Sequence, residues 1–322
     1  MSKQAIDPTQ VSLVTITQDN EGQRVDNFLI TALKGVPKSA VYRIVRKGEV
    51  RVNKKRVKAD TRLHAGDVLR IPPVRLPEKG ETPDVSENLQ NLLNESILYE
   101  DSGLIAVNKP HGLAVHGGSG VTLGLIEAMR KMRPDHSFLE LVHRLDRDTS
   151  GVILIAKKRS VLTGLQRMLV NKAGITKRYL AMVHGHWPAA ITEVKEPLTR
   201  FERQSGERMV MVDPEGKTSH TRTTLLASGS HYSLIEAEPV TGRTHQIRVH
   251  CQFHDHSIAG DAKYCDKVQQ GIDKKQGVRR LFLHAWQLSF RHPDSGEQLT
   301  VTALPDAEFT DILNKADCNA GF

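Results

Sequence analysis

Three scarcities in the 322-residue sequence limit what the chain can be. Cysteine occurs only at Cys251, Cys265 and Cys318, an odd and widely spaced set that suits neither a disulfide framework nor a Cys-x-x-Cys metal site. No apolar run approaches the roughly 18 residues that cross a bilayer, which excludes a membrane span. The first ten residues are polar and of mixed charge, without the basic-then-apolar order of a secretory signal. We therefore expect a cytoplasmic protein without a membrane partner.

Several catalytic and cofactor-binding motifs are also missing. The chain has no phosphate-binding Gly-x-x-x-x-Gly-Lys-Ser/Thr loop, no Gly-x-Gly-x-x-Gly turn after a strand and no Gly-x-Ser-x-Gly elbow. The glycine-rich stretch 116–120 fits none of these patterns. His250, Cys251, His254 and His256 are close in sequence, but no second ligand cluster of the right spacing accompanies them. We expect no metal and no cofactor.

Positive charge is concentrated at one end of the chain. The formal net charge is +8, and residues 1–75, with 15 lysines and arginines against 7 acids, hold all of this excess. The remaining residues contain 30 of each kind. Such asymmetry indicates a basic module joined to a neutral body, and phosphate backbones are the commonest large anionic partner of such a module. The alternative is a basic face that only water solvates.

The pattern of this basic end is typical of two short helices followed by short strands. Apolar residues spaced along one helix face occupy 25–33, and Pro37 prevents that helix from continuing. A second helix can begin near Ser39, and strand-like runs follow at 50–57 and 68–71. The candidate RNA-binding residues on the second helix and the next turn are Lys38, Arg43, Arg46, Lys47, Lys54 and Lys55.

This arrangement resembles the S4 RNA-binding domain. The resemblance rests on the segments 24–29, 46–53 and 65–68. It implies that residues 1–75 form a small RNA-binding domain of two helices and short strands. Residues 72–94 shift to a composition with four prolines and three glutamates, which predicts an extended linker over 76–94.

The rest of the chain, 95–322, is dominated by strand patterns. Strand-like runs outnumber the helical runs and do not alternate with them regularly. This favours an α+β fold, with a large mixed, mainly antiparallel sheet flanked by helices, over a Rossmann-type fold.

The segment 143–151 places charge at the entrance to a predicted core strand. Arg144, Asp146, Arg147 and Asp148 lie between two apolar stretches. Charged groups in such a position are costly to remove from water unless they are paired or functional. Catalysis by Asp146 and a structural ion-pair network are both compatible with this segment.

Two further segments carry residues suited to base recognition. Lys177-Arg178-Tyr179 opens a predicted strand, and Arg243 follows a strand where a glycine and a threonine predict a turn into a helix. Together with Asp146 they supply a carboxylate, a flat face for stacking and an obligate cation, which suit the holding of an extruded base. The sequence itself does not show that Asp146, Tyr179 and Arg243 converge.

The same segments resemble the RluA-type pseudouridine synthases. The motifs that carry the resemblance follow the family's order and are 107–110, 143–151, 177–179, 242–248 and 280–285. With the S4-like module in front, the resemblance covers nearly the whole chain. One departure is Cys265, where the family usually has glycine, and it bears only on a local turn.

The resemblance implies an enzyme that isomerises uridine to pseudouridine in 23S ribosomal RNA or its large-subunit precursor, without a cofactor. Asp146 would be the essential aspartate, and Arg243 would pair with it. Tyr179 would stack on the base, and Arg144 would fill the space left by the flipped uridine. Lys109 would support the pocket and belong to the RNA-binding set. Asp146 could attack C1′, attack uracil C6 or remove a ribose proton, and the sequence does not choose among these.

Two other functions stay open at this point. One is a non-catalytic ribosomal-RNA-binding assembly factor that keeps the same fold. The other is a hydrolase of nucleosides or glycosides, since such enzymes commonly use two carboxylates. Asp148 could be the second carboxylate, but its place two residues after Asp146 favours an ion-pair role. We expect the protein to be a monomer.

Overall fold

The computed structural model divides the chain into two units, Met1–Thr82 and Pro83–Phe322. The structure describes residues 10–33, 36–74, 83–117, 123–203, 206–318 and 321. Residues 75–82, which include part of the predicted linker, and residues 118–120 of the glycine-rich stretch lie outside the described residues.

The first unit packs a pair of helices on a small antiparallel sheet. Its elements are β1 (Ser12–Thr15), α1 (Val25–Ala32), α2 (Lys38–Arg46), β2 (Arg51–Val52), β3 (Lys55–Arg56) and β4 (Val68–Ile71). The strand order is β1-β4-β2-β3. Apolar side chains of both helices, such as Leu29 and Ile44, form one buried core with Leu69 of the sheet. The predicted S4-like arrangement of two helices and short strands is confirmed.

The β2–β3 hairpin turns tightly through Asn53 and Lys54, whose φ angles are 50° and 69°. Positive φ at both central residues gives a turn whose twist matches that of the strands. The Asn53 side chain donates to Asp67 Oδ1 at 2.7 Å and accepts from the amide of Val68 at 2.9 Å. These bonds tie the turn to the start of β4 and hold the exposed Lys54 at its tip.

The second unit contains the remaining elements. Its strands are β5 (Ile97–Glu100), β6 (Leu104–Lys109), β7 (Glu140–Leu141), β8 (Ser150–Ala156), β9 (Ile175–His184), β10 (Glu193–Val194), β11 (Leu198–Glu202), β12 (Arg208–Val212), β13 (Thr221–Ser228), β14 (Tyr232–Pro239), β15 (Leu283–Arg291) and β16 (Gln298–Thr302). Its helices are α3 (Glu87–Glu95), α4 (Leu125–Met132), α5 (Arg159–Asn171), α6 (Gln246–Phe253), α7 (Lys267–Gln276) and α8 (Ala307–Lys315).

A large mixed sheet organises this unit. Within the described chain its strand order is β10-β13-β14-β9-β15-β8-β6-β5, with β16 beside β15 and β7 beside β8. β8 and β15 run parallel, at the register His284 to Ser150, whereas the other described pairs of this sheet are antiparallel. The predicted mixed, mainly antiparallel sheet flanked by helices is therefore confirmed.

The central strands are buried on both faces. Successive residues of a strand point to opposite faces, so Ile153 and Ile155 of β8 pack toward α4, whereas Leu154 packs toward α5. All seven residues of β8 are buried, which explains its continuous apolar sequence. The loop that enters this strand is thereby held on a rigid support.

The second half of the predicted linker 76–94 is helical and not extended. Val85 and Leu93 are buried in the same core cluster as α4, and α3 begins within the predicted linker. Ser86 caps α3 by accepting from the amide of Leu89 at 3.4 Å. The sequence signal for this helix is the spacing of Leu89, Leu92 and Leu93 on one face, and it was missed because the preceding prolines and glutamates favour an extended chain.

Within the described residues, every helix is too short or too polar to span a bilayer.

Candidate active site

The loop before β8 places Asp146 at the edge of the large sheet. Gly151 allows this loop to pass close to β15, because a Cβ on Gly151, whose φ is +107°, would lie 2.2 Å from the carbonyl oxygen of Ala285. The His143 ring anchors the other end of the loop by accepting from the amide of Leu154 at 3.3 Å. Burial, and then the charge of Lys177, lower the pKa of His143 to about 3, so its ring is neutral and can accept.

A pocket of about 140 Å³ opens beside Asp146. Its lining comes from the loop before β8 (Arg144, Leu145, Asp146, Thr149), from β9 (Lys177, Tyr179), from the segment Pro239, Thr241–Arg248 and from Leu283 of β15. The structure thus places Asp146, Tyr179, Arg243 and Arg144 on one pocket, a convergence that the sequence alone did not show. Ligand pockets commonly measure about 300–1,000 Å³, so this one suits a single small ring rather than a whole nucleotide.

Asp146 faces Arg248 of α6 and His245, the residue just before that helix. Its Oδ2 lies 3.5 Å from Nη1 of Arg248 and 3.8 Å from Nε2 of His245. The Arg248 side chain is only 9% exposed, whereas the Asp146 side chain is 27% exposed. A fixed cation therefore stands behind a carboxylate that stays open to the pocket.

Arg248 is itself fixed by a buried carboxylate. Its Nε and Nη2 donate to Asp261 at 2.7 and 2.8 Å, a bidentate pair, and the guanidinium lies 5.0 Å from the ring centre of Tyr264. Burial alone would lower the pKa of Arg248, but the bonds to Asp261 outweigh it and raise that pKa. The remaining nitrogen is thereby aimed at Asp146.

His245 is held by a chain of hydrogen bonds from β12. The amide of Val210 donates to Tyr264 Oη at 3.1 Å, and Tyr264 Oη lies 2.7 Å from His245 Nδ1. Burial raises the pKa of Tyr264 to about 12 and, followed by the charge of Arg248, lowers the pKa of His245 to about 4. The phenol therefore stays protonated and donates a hydrogen bond to Nδ1, so the neutral imidazole carries its hydrogen on Nε2, facing Asp146.

The pairing that the family resemblance implied for Arg243 is made by Arg248 instead. Arg243 lines the pocket, but it is exposed and its Nε donates to the carbonyl of Thr218 at 3.1 Å. Both arginines stand in the same motif, and the turn into α6 points the first outward and the second inward. A signal for the choice was present, since Arg248 is flanked by the buried Ile247 and Val249.

Tyr179 and Lys177 form the β9 wall of the pocket, and both are partly buried. Burial, followed by the charge of Asp146, raises the pKa of Tyr179, so the phenol stays protonated. Burial also lowers the pKa of Lys177. A flat ring thus lies beside the carboxylate, as the stacking role predicted for Tyr179 requires.

Lys109 was predicted among the RNA-binding residues, but the structure buries it completely. Its Nζ donates to the carbonyl oxygens of Pro110, Leu113 and Arg147 at 2.8–2.9 Å. Burial lowers the pKa of Lys109 to about 7. An ammonium closed off in this way supports the loop that carries Asp146 and leaves no group for contact with RNA.

The other predicted RNA-binding residues are exposed. Arg144 is exposed at the mouth of the pocket. In the first unit, exposed side chains are found at Lys38, Arg43, Arg46, Lys47, Lys54 and Lys55. One of these cations, Lys47, lies 4.0 Å from the carboxylate of Glu49. The set of exposed cations as a whole makes this surface basic.

One group of metal-ligand types lies within the described residues, at His184, Cys265 and Asp273, and all of these are buried. Asp273 already accepts from Tyr232 Oη at 2.8 Å and from the amide of Gly260 at 2.9 Å. Its oxygens are therefore used within the protein, and the group is explained as a buried polar network. It is distinct from the group of residues 250–256 noted in the sequence, whose His250 is hydrogen-bonded to Ser219 and Thr221.

Two family models match the sequence. The model described as RNA pseudouridylate synthase matches residues 103–253, a range that includes the loop of Asp146, Tyr179 and the whole of α6. The S4 domain model matches residues 23–69, within the first unit.

The sequence is also similar to that of named bacterial enzymes over almost its full length. It is 52% identical over 309 residues to the ribosomal large subunit pseudouridine synthase C of Haemophilus influenzae, which covers 95% of each chain. It is likewise 52% identical to the enzyme of that name from Escherichia coli, over 95% of this chain and 96% of the relative. Among solved structures, human RNA pseudouridylate synthase domain containing 4 is 27% identical with a TM-score of 0.59, over 71% of this chain and 96% of that one.

Proposed function

Because the chain belongs to the RNA pseudouridine synthase family, we propose that it converts specific uridines of large-subunit ribosomal RNA to pseudouridine, with Asp146 as the catalytic carboxylate. Membership of this family makes the protein an isomerase that acts on RNA uridines. The large-subunit substrate is inferred from the names of the bacterial relatives. We expect it to be 23S ribosomal RNA or its precursor.

One observation supports the role of Asp146 more than any other. It is a carboxylate that opens to a pocket on one side and faces a buried arginine on the other. The arginine is fixed by Asp261, so the carboxylate is held in place without being covered. Such preorganisation is typical of catalytic groups rather than of surface ion pairs.

The reaction requires the uracil to leave and return to the same ribose. The bond between N1 and C1′ breaks, the base turns, C5 bonds to C1′, the C5 proton leaves and N1 gains a proton. Composition and oxidation state are unchanged, so the chemistry needs no cofactor. Asp146 can attack C1′, attack uracil C6 or remove a ribose proton, and all three routes place its oxygen against the sugar–base junction.

The neighbouring residues have supporting roles in this proposal. Arg248 and the Nε2 hydrogen of His245 orient the carboxylate, and Tyr179 stacks on the detached base. Arg144, exposed beside the pocket, fills the space left in the RNA when the uridine flips out. Water must be excluded while the base is detached, because free uracil would otherwise be lost.

The basic first unit is proposed to supply attraction for RNA that does not depend on sequence. Its exposed cations would contact phosphates, and affinity would fall steeply as salt rises. Deleting residues 1–75 should therefore weaken RNA binding more than it alters the chemical step. Equal affinity with and without these residues would exclude that role. A cytoplasmic location and a monomeric state belong to the same proposal.

Asp146→Asn tests the central claim. The substitution keeps the size of the side chain and removes its charge, so product should fall below detection. A sensitive measure is the release of tritium from transcribed 23S RNA labelled at uracil C5, because that hydrogen leaves when C5 bonds to C1′. The matched control is Asp148→Asn, since Asp148 is 55% exposed, lies 3.7 Å from Arg147 and should be dispensable.

The same experiment separates the competing functions. A ribosome-assembly factor would show no tritium release with the unmodified protein, and its cellular role would survive Asp146→Asn. A hydrolase would release free uracil instead of leaving the isomer in RNA. Retained activity in Asp146→Asn would contradict the proposed mechanism directly.

A further inference from the structure

A larger groove continues from the active-site pocket toward the C-terminal end of α5. Its volume is about 710 Å³, compared with about 140 Å³ for the pocket. The two share Arg144, Lys177, Tyr179 and Arg243, so they form one continuous surface. The far part of the groove, beyond the pocket, is lined by the end of α5, by β13 and by the end of β14.

The lining of this groove is basic. Its cations in the described chain are Arg144, Lys172, Lys177, Arg222 and Arg243. The acidic member of the described lining is Glu238, which is paired with Arg222 at 2.8 Å across β13 and β14. A concave surface with this excess of positive charge focuses its field on anions such as phosphate groups. Its volume lies in the range of pockets that hold ligands the size of a nucleotide.

Lys172 occupies a position where lysine is conformationally unfavourable. It follows the last residue of α5 with φ 54° and ψ 35°, the left-handed region. Glycine is usual at such helix ends, because a Cβ strains this conformation. Lys172 is nevertheless exposed on the groove, so the chain carries a cation there at some expense in stability.

An apolar side chain lies beside these cations. Val170 is 78% exposed on the last turn of α5, although it lines the groove. Unstacked RNA bases offer apolar faces to such surfaces while their phosphates meet cations. The combination fits a strand of RNA better than a free anion, which would have no use for Val170.

We propose that this groove binds the RNA segment flanking the target uridine, with a phosphate at Lys172 and an unstacked base against Val170. The inference rests on the proposed function, because it assumes that the uridine in the pocket belongs to an RNA chain. It extends that function by naming the path along which the neighbouring nucleotides run.

Lys172→Gly is the sharpest test, because it separates binding from folding. Glycine relieves the left-handed strain, so thermal stability should be equal or higher. The KM for transcribed 23S RNA should nevertheless rise about fivefold, as expected for one exposed ion pair, with kcat unchanged. The slope of log affinity against log salt should fall by roughly 0.7–0.9, the value for one phosphate contact. An unchanged KM and salt slope would overturn the proposal.

Two control variants distinguish a local contact from a general loss of charge. Lys172→Arg keeps the cation and should restore most of the affinity. Lys315→Ala removes one charge from α8, outside the groove lining, and should leave KM unchanged. If Lys315→Ala raised KM as much as Lys172→Gly, the effect would be that of net charge and the groove would be excluded.

Glu238→Gln gives a prediction of opposite sign. Loss of the acidic side chain frees Arg222 for a phosphate, so KM should fall by about two- to threefold at low salt. A rise in KM would contradict the proposed path. Failure of the proposed function itself would look different, since the unmodified protein would then release no tritium at all, whereas failure of the groove leaves turnover intact in every variant.

Discussion

Replacing Lys109 by methionine tests whether this residue supports the loop of Asp146 or contacts RNA. Methionine has nearly the same length and shape but cannot donate a hydrogen bond. In the structure the ammonium donates to the carbonyls of Pro110, Leu113 and Arg147, so all of these lose their partner at once. One of the acceptors, Arg147, directly follows Asp146.

The expected loss of stability follows from these bonds. A carbonyl left without a partner costs about 1 kcal/mol when it is only partly buried, so three of them cost about 3 kcal/mol. For a unit of 150–250 residues, 1 kcal/mol corresponds to roughly 2–4 °C in melting temperature, which gives a fall of about 6–12 °C. Because the loop loses its support, kcat should fall as well.

The assay combines thermal unfolding with turnover of 23S RNA at pH 6, below the pKa of about 7 to which burial lowers Lys109, so that the native side chain is charged. The matched control is Lys157→Met. Lys157 is 11% exposed and donates to Glu100 at 2.9 Å and to the carbonyl of Asp101 at 2.7 Å, away from the pocket lining. It should lower the melting temperature but leave kcat unchanged.

Contact of Lys109 with RNA would produce a different pattern. If Lys109 contacted RNA, the substitution would raise KM and reduce the salt dependence of binding by roughly one phosphate contact. An unchanged melting temperature together with that change in salt dependence would show that Lys109 contacts RNA and does not support the loop of Asp146.

Three further predictions concern other residues of the second unit. Tyr264→Phe keeps the ring but removes the hydroxyl that fixes His245, so kcat should fall about tenfold, with KM unchanged, in steady-state turnover; an unchanged kcat would exclude the orienting role. Gly151→Ala would place a methyl 2.2 Å from the carbonyl of Ala285 and should cost about 3 kcal/mol in chemical denaturation; native stability would show that the strands can separate. Burial lowers the pKa of His284 to about 4 from an ordinary value of about 6.5. Between these pH values the unfolded chain binds more protons than the folded chain, so the free energy of unfolding should fall by about 3 kcal/mol as pH drops from 6.5 to 4. Urea titrations should show His284→Gln flattening that loss, and an equally steep loss in the variant would assign it to other groups.

The sequence predicted most elements whose apolar faces are strongly periodic. The helices α1 and α2 and the strands β8 and β9 were expected close to where they occur. The helix α7 was missed because its one fully buried residue is the polar Asp273, which leaves no apolar face. Its ends were nevertheless signalled by the capping box of Asp266 with Gln269 and by Gly277 in the left-handed region.

The site could be predicted only in part, for a physical reason. Asp146 and Tyr179 were selected by residue type and motif, and the structure places both on one pocket. The choice between Arg243 and Arg248 depends on which of them meets Asp261, and that contact joins segments 13 residues apart through the turn after α6. The apolar neighbours Ile247 and Val249 favour burial of Arg248, but local patterns do not identify the acid that it meets.

The parallel pairing of β8 with β15 sets the moment at which the enzyme becomes competent during its own synthesis. The pocket needs Asp146 near the middle of the chain and Leu283 near its end, and the register joins Ser150 to His284. A nascent chain on the ribosome can complete its first unit early, since domains generally fold as they emerge. It cannot close the pocket until β15 has left the exit tunnel. The exposed basic surface of the first unit is thus complete well before the pocket can form.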